Sequence, residues 1–384
     1  SPRTRPGAPA REEPTLELPT SHRVPLTWLL EHGGPAIRCR TMLDLAPEGS
    51  ADPQNLVEAL KATVLSDLVS AVTTRQQATG LWGGSFLAWQ QSTRDNTDEP
   101  GTVAQYRRLL QLGVPTTTRP FRLADRVLFR TLSRDDDPLL YGEFFDATVD
   151  DPDAAEWYRN LIREGAAAAL AEAGHEQDPR LRGAAHKVIS AVSAFLRSDI
   201  VEDPLIPRGG SAWQLNPEAT PPSWWSVAML AAMPTLQRER AGFVERLGQY
   251  LAQPPITQSF MITVGSTTLR PAHLLLGDPI ELDAKGVHKD VPLALHFTEL
   301  LAGLGQLHAS ASAQAFLASL LADLDAEGVW HPKNLRSQPK AMSPVTHHYW
   351  PLAADDGELA SRQADITFRL ALIAKRLGWH LEYS

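Results

Sequence analysis

Apolar residues recur every third or fourth position along most of this chain, and only one short stretch alternates. Leu56, Leu60, Val64, Leu68 and Val72 are spaced by four, with Val57, Leu65 and Val69 widening the stripe. That spacing gathers them on one face of a helix with 3.6 residues per turn. The helix opens at "SADP", where Pro53 suits the first turn because its missing N–H would have no partner there. Shorter helices follow proline-rich entries at 119–132, 180–196, 221–233, 292–307 and 364–379, and "GPAIRCRTMLDL" (34–45) begins the series. Between them lie helices that read as more surface-like, including "AAEWYRNLIREGAAAALAEAG" (154–174), "ERAGFVERLGQYLAQ" (239–253) and "SAQAFLASLLADLDAEG" (312–328). The alternating exception, "SFMITVGSTTL" (259–269), predicts a short strand or hairpin.

Helix therefore follows helix in pairs of roughly 60 to 80 residues, looser than the short solenoid repeats. A pair of helices buries little surface alone, so such pairs must stack on one another. Closed on itself, the row makes two concentric rings. Left open, it makes a solenoid.

The ends of two outer helices favour closure. "RQQATGLWGG" carries Gln76, Gln77, Gly80 and Trp82, and "LADLDAEGVWHP" carries Asp325, Gly328 and Trp330. A glycine there permits a left-handed turn, and the indole can fold back over the last helical turn. Both strings resemble the Q-x-x-D-G-x-W repeat of squalene–hopene cyclases and related terpene cyclases. The opening "PLTWLLEHGGPAIRCRTMLDL" also looks like the start of uncharacterised bacterial proteins with prenyltransferase and squalene-cyclase-like repeats. As architecture the resemblance spans residues 25 to 380. It implies an all-α, α/α toroid of about five or six helix pairs in a single domain, 25–384. The proline- and charge-rich segment ahead of it, 1–24, reads as an extended arm.

Composition narrows the partners. Hydrophobic residues make up 43% of 384, enough for a substantial core. A net charge of −9 argues against nucleic acid, which needs a basic face. No apolar run is long enough for a transmembrane span. The remaining partners are a hydrophobic small molecule or another protein. The single cysteine, Cys39, forbids an internal disulfide and multi-cysteine metal sites. The chain opens on Ser1 rather than methionine, which leaves removal of an upstream segment, and both cytoplasmic and exported settings, open.

The resemblance raises a question of chemistry, because protonating terpene cyclases use D-x-D-D. Clustered carboxylates there keep one Asp protonated. The nearest string, "SRDDDP", supplies Asp135, Asp136 and Asp137, but Ser133 stands where the first aspartate belongs. It also follows the C-terminal end of a helix, where negative charge is disfavoured. A solvated acidic loop accounts for it better, and Asp136 is kept only as a weak catalytic candidate. No D-D-x-x-D spacing stands on a helix to hold Mg²⁺ and a diphosphate, and no carboxylate near Cys39 in sequence suggests zinc. No cofactor and no metal site are expected.

Toroids also host carbohydrate enzymes, and "PVTHHYWPL" (344–352) is the densest chemical segment. His347, His348 and Tyr349 offer acid–base groups and Trp350 a stacking platform, although a structural loop with a buried ring is the more ordinary reading. Trp89, Phe121, Trp224 and Trp225 stand at helix entries where they could line an apolar cavity, or simply pack a core. Arg122, Arg126 and Arg130 form a stripe beside Asp125, best read as a paired surface. His296 and His308 read as satisfied interior or boundary residues. With every acid or metal motif incomplete, the expected function is a non-catalytic binding or scaffold protein on a terpene-cyclase-like fold. The alternatives are an enzyme on an isoprenoid or other hydrophobic substrate, using an unrecognised acid, and a carbohydrate-active toroid.

Overall fold

Asp-Pro pairs open three of the helices, and the physics is the same each time. Proline presets the backbone at the first position, while the preceding aspartate accepts a hydrogen bond from an N–H that the helix leaves unpaired. Asp52 accepts from Gln54 N at 3.0 Å, Asp151 from Ala154 N at 3.0 Å and Asp178 from Arg180 N at 2.9 Å. The computed structural model describes residues 17–88, 100–133 and 137–384. Its helices are α1 (Leu26–His32), α2 (Pro35–Arg40), α3 (Pro53–Val64), α4 (Asp67–Thr73), α5 (Thr102–Gln111), α6 (Arg119–Leu132), α7 (Phe145–Thr148) and α8 (Pro152–Glu172). They continue as α9 (Pro179–Leu196), α10 (Trp224–Ala231), α11 (Pro234–Glu239), α12 (Ala241–Leu251), α13 (Val291–Gly303), α14 (Ala311–Leu321) and α15 (Leu359–Arg376).

The protein is mostly helical with small sheets. Strands β1 (Ser21–Val24), β2 (Leu205–Gly209), β3 (Ala212–Leu215), β4 (Phe260–Val264), β5 (Thr267–Leu269) and β6 (His380–Tyr383) form two of them. One has the order β2-β3-β4-β5. The expected hairpin at 259–269 is its β4–β5 edge, and the other two strands exceed that expectation. Short, glycine- and proline-containing segments such as "LIPRG" carry too little pattern to be read as strands. The second sheet pairs β1 in parallel with β6, Ser21 opposite His380 and Val24 opposite Tyr383. The last four residues of the expected arm are thus a strand that ties the two ends of the chain together.

Packing runs along the chain and returns. Helix α8 contacts α5, α6, α9 and α10, helix α13 contacts α10, α14 and α15, and α15 contacts α1 and α2. Two expectations need correction here. The stripe from Leu56 to Val72 is not one helix: it breaks at Leu65, and Ser66 caps α4 by accepting from Val69 N and donating to Thr63 O at 2.7 Å. Serine competes with the helical ladder in this way. On α3 the stripe is half-buried at Leu56 and Leu60 and exposed at Val57 and Val64, and the helix's one buried residue is Thr63, outside the stripe. Helix α8 is the reverse case. Read as surface-like, it buries every residue from Gly165 to Ala171, because small side chains let several helices approach closely.

The two repeat ends have one structure, and a third copy joins them. In 77–82, 283–288 and 325–330 the first residue's N–H donates to the carbonyl four ahead, at 2.9, 2.7 and 2.9 Å. The glycine three residues after the first has positive φ each time, +93° at Gly80, +76° at Gly286 and +91° at Gly328. A Cβ on Gly80 would collide with the Leu123 carbonyl of α6, and one on Gly328 with the Arg23 carbonyl of β1. Glycine is therefore required twice over at these two turns, by conformation and by close approach. Gln76 fastens the first turn by donating to Pro120 O at 2.8 Å, and the Trp82 indole donates to Val72 O at 2.8 Å. Backbone N–H groups of Trp82 and Trp330 donate to Thr102 and Thr367 hydroxyls at 3.0 and 3.1 Å, coupling the first turn to α5 and the last to α15.

Candidate functional site

Where α5, α8, α10, α13 and α15 meet, the core turns polar. Arg369 on α15 is fully buried and bonds in four directions. Its Nε lies 3.1 Å from Asp365, one turn earlier, and its Nη1 lies 3.3 Å from Glu299 on α13 and 3.3 Å from Gln111 on α5. Its Nη2 donates to the Tyr349 carbonyl, and the guanidinium lies 3.4 Å from the centroid of the Tyr349 ring. The Tyr349 hydroxyl donates to Glu299 at 2.6 Å, and Arg376 adds a second cation at 3.0 Å. Burial alone would raise Glu299. Arg376, Arg369 and the tyrosine hydroxyl overcome that and pull it down to about 2. Every carboxylate of this lattice faces an arginine.

Loop 343–352 enters the lattice because Asp290 does two jobs. One of its oxygens caps α13 by accepting from Leu293 N at 3.0 Å. The other accepts from Met342 N and Ser343 N at 2.9 and 3.0 Å. Beyond that anchor His348, Tyr349 and Trp350 point inward and are buried, while His347 is exposed. Trp350 spends its indole N–H on Pro339 O at 2.9 Å, and Asp365 accepts from Leu352 N at 2.6 Å. The segment is therefore split: His347 faces solvent, and the three residues after it belong to the interior.

Histidine 296 joins this lattice to a second centre. It stacks on Trp224 at 5.5 Å and 12°, and it meets His348 edge-on at 5.0 Å. Burial drives His296 down to about 3 and His348 well below its usual range, with Arg107 opposing a further positive charge on each. The Nε2 atoms of both rings are buried without a partner, so the expectation that His296 is satisfied holds only in part. His308 is exposed.

The second centre is Glu164 on α8. The Ser223 hydroxyl, which caps α10, donates to Glu164 at 2.5 Å and accepts from Trp225 N and Ser226 N at 3.1 and 3.0 Å. Glu164 is half-buried by exposure, and burial pushes its carboxyl above the usual glutamate range against the pull of the Ser223 and Ser226 hydroxyls. Trp225, half-buried, stacks on His273 at 5.4 Å.

The remaining sequence candidates fall apart in space. Phe121 is core, edge-on to Tyr106 at 4.8 Å, and Trp224 is buried under His296. Trp89 and Asp136 lie outside the described residues. Asp137 caps the short turn of 138–144 by accepting from Leu139 N at 3.0 Å and pairs with Arg130 at 2.8 Å, as a structural acid would. Cys39 is buried in α2, where burial pushes its thiol up. Sequence reasoning missed Arg369, Asp365, Glu299 and Glu164, together with α5, which carries Gln111. An i,i+4 Asp–Arg pair inside the apolar helix "ADITFRLALIAKR" was the available signal, since a charge pair amid such a stripe has to be buried. Among the described residues no three His, Cys, Asp or Glu side chains gather as a metal site would require, and no helix is long and apolar enough to cross a membrane. No protein-family model, curated protein or solved structure matches the chain.

Proposed function

We propose that this protein is a closed α/α ring of the terpene-cyclase-like type that binds a hydrophobic small molecule without transforming it. Three features support the ring: the helix contacts that run from α5 to α15 and back to α1 and α2, the parallel pairing of β1 with β6, and three copies of one fastening turn. One observation carries the non-catalytic reading. The Tyr349 hydroxyl, the best acid–base group of the sequence candidates, is committed to Glu299 at 2.6 Å inside a fully ion-paired lattice. A group so held organises the helix ends, and moving its proton would strand Glu299 and Arg369 in a medium of low dielectric.

Incubating the purified protein with farnesyl diphosphate and Mg²⁺, with geranylgeranyl diphosphate and Mg²⁺, and with squalene tests the reading. The expected result is no new product by gas chromatography and mass spectrometry, together with saturable quenching of tryptophan fluorescence by farnesol. Turnover of any of the three overturns the non-catalytic part, and unsaturable quenching overturns the binding part.

A further inference from the structure

The segments that meet at the first fastening turn carry no acid. Between Asp67 and Asp95, and again between Glu99 and Asp125, the sequence has no aspartate or glutamate, although the whole chain has a net charge of −9. The turn departs from its two copies in the same direction. Asp283 and Asp325 open theirs, and each carboxylate accepts inside its turn. Asp283 accepts from Lys285 N and Val287 N at 2.8 and 2.9 Å, and Asp325 from Glu327 N and Val329 N at 2.9 Å each. Gln77 takes that place at the first turn, where its oxygen meets the Thr79 hydroxyl at 3.5 Å. The exchange removes a negative charge and leaves an amide nitrogen without a partner among the described residues.

A cleft of about 340 Å³ opens where this turn meets the start of α6, lined by Thr73, Thr74, Gln76, Gln77, Arg119 and Pro120. That is room for a small metabolite. Its wall is fixed in advance. Gln76 spends its amide N–H groups on Gly80 O and Pro120 O at 3.1 and 2.8 Å, which leaves its oxygen to accept. The Thr74 hydroxyl donates to Ser70 O at 2.7 Å and keeps its lone pairs, while Gln77 and Arg119 supply donors. Donors and acceptors side by side suit hydroxyl groups, each of which does both.

Arg119 also begins a stripe. Arg122 and Arg126 follow on the same face of α6, spanning about 10 Å, and all three are exposed. Sequence alone reads Arg122, Arg126 and Arg130 as paired, but the ion pair formed is that of Arg130 with Asp137. Among the described residues Arg119, Arg122 and Arg126 have no side-chain partner, and Asp125 beside them accepts from the Tyr106 hydroxyl at 2.7 Å. A free guanidinium fork matches the oxygens of a phosphate. The net charge of −9 repels an extended polyanion, whereas a small anion senses the local field within a screening length of about 8 Å.

We propose that this cleft binds the phosphate ester of a small hydroxylated molecule, a sugar phosphate in kind. The hydroxyl groups lie against Thr74, Gln76 and Gln77, and the phosphate is held by Arg119 with Arg122 one turn on. No covalent step is involved. The proposal is independent of the hydrophobic ligand proposed above.

The test is isothermal titration calorimetry on the full chain at low salt, with ribose 5-phosphate, glucose 6-phosphate, glucose and inorganic phosphate. At least one sugar phosphate is expected to bind about tenfold or more tightly than glucose and inorganic phosphate, and Arg119→Gln to weaken it about tenfold or more. Arg238→Gln, the same charge change at an exposed arginine of α11, is expected to leave binding within about twofold of the parent. No binding of either sugar phosphate, inorganic phosphate binding as tightly as both, or equal losses in the two variants overturns the proposal. Tighter binding of a polyglutamate peptide than of either sugar phosphate assigns the stripe to an acidic protein segment and overturns it too. Quenching by farnesol is expected to be unchanged in Arg119→Gln, so this proposal and the hydrophobic binding reading fail separately.

Discussion

Glu299 and Glu164 are both carboxyls set among packed helices, and the protein treats them in opposite ways. Glu299 faces Arg369, Arg376 and the Tyr349 hydroxyl, and its pKa falls to about 2. Glu164 faces two serines, and its pKa rises. The difference lies in charge compensation rather than depth, since burial penalises both anions alike. A compensated carboxylate holds helices together. An uncompensated one is costly to ionise, so its proton is held more tightly.

Acid should separate the two most strongly. Burial holds His22 at about 4 and His273 and His296 at about 3, whereas each titrates near 6.5 once unfolded. The unfolded chain therefore binds more protons, and stability falls as pH drops from 6.5 toward 3. Glu299, lowered from 4.5, adds a loss of the same sign below pH 4.5. Glu164 has the opposite sign: its contribution is present at low pH and is lost as pH rises through its raised folded value. Urea midpoints measured from pH 7 to pH 4 should fall steadily, and a flat profile would sink the assignment of neutral buried histidines.

Removing the central cation comes next. Arg369→Met leaves Asp365 and Glu299 short of a partner and should cost about 3–5 kcal/mol in urea unfolding. The comparison breaks if that variant is as stable as the parent. A smaller loss follows from Tyr349→Phe, which deletes one buried bond to a carboxylate and should cost about 1.5–3 kcal/mol by the same measurement. Ser223→Ala removes the cap of α10 and the donor to Glu164, at about 1 kcal/mol. Glu164→Gln should be the mildest, within about 0.5 kcal/mol of the parent near neutral pH, because an amide oxygen still accepts from Ser223 and no ion pair is lost. A cost comparable to that of Arg369→Met would mean that Glu164 is structural after all.

Much of the helical frame can be read locally. Asp-Pro openings, four-residue apolar spacing and glycine stops set helix ends through bonds between residues two to four apart, so they are visible in the string. The fastening turns were legible for the same reason, and "DAKGVH" differs from "DAEGVW" only at its third and sixth positions. Even so, the copy with His288 went unread because it lacks the tryptophan. The candidate sites fared differently. His348, Tyr349 and Trp350 drew notice as a dense segment, yet which of them faces inward depends on Asp290, more than fifty residues away. Glu164 looks like any glutamate on an amphipathic helix until Ser223 and Trp225 arrive from α10. Nor does local pattern distinguish the alanine run of α8 from a solvent-facing one, because methyl groups carry little hydrophobic signal and close packing is a property of the neighbours.

By itself, then, the sequence determined where helices begin and end, which turns need glycine, and that the chain lacks a complete version of the acid and metal motifs tested. Those features are set by short-range bonds and by residue identity. Only the tertiary structure decided which charges are spent and which are left over. Compensation of a buried charge depends on partners brought in from helices seventy or more residues apart, as Arg369 and Arg376 are from Glu299, and no spacing along the chain records that meeting.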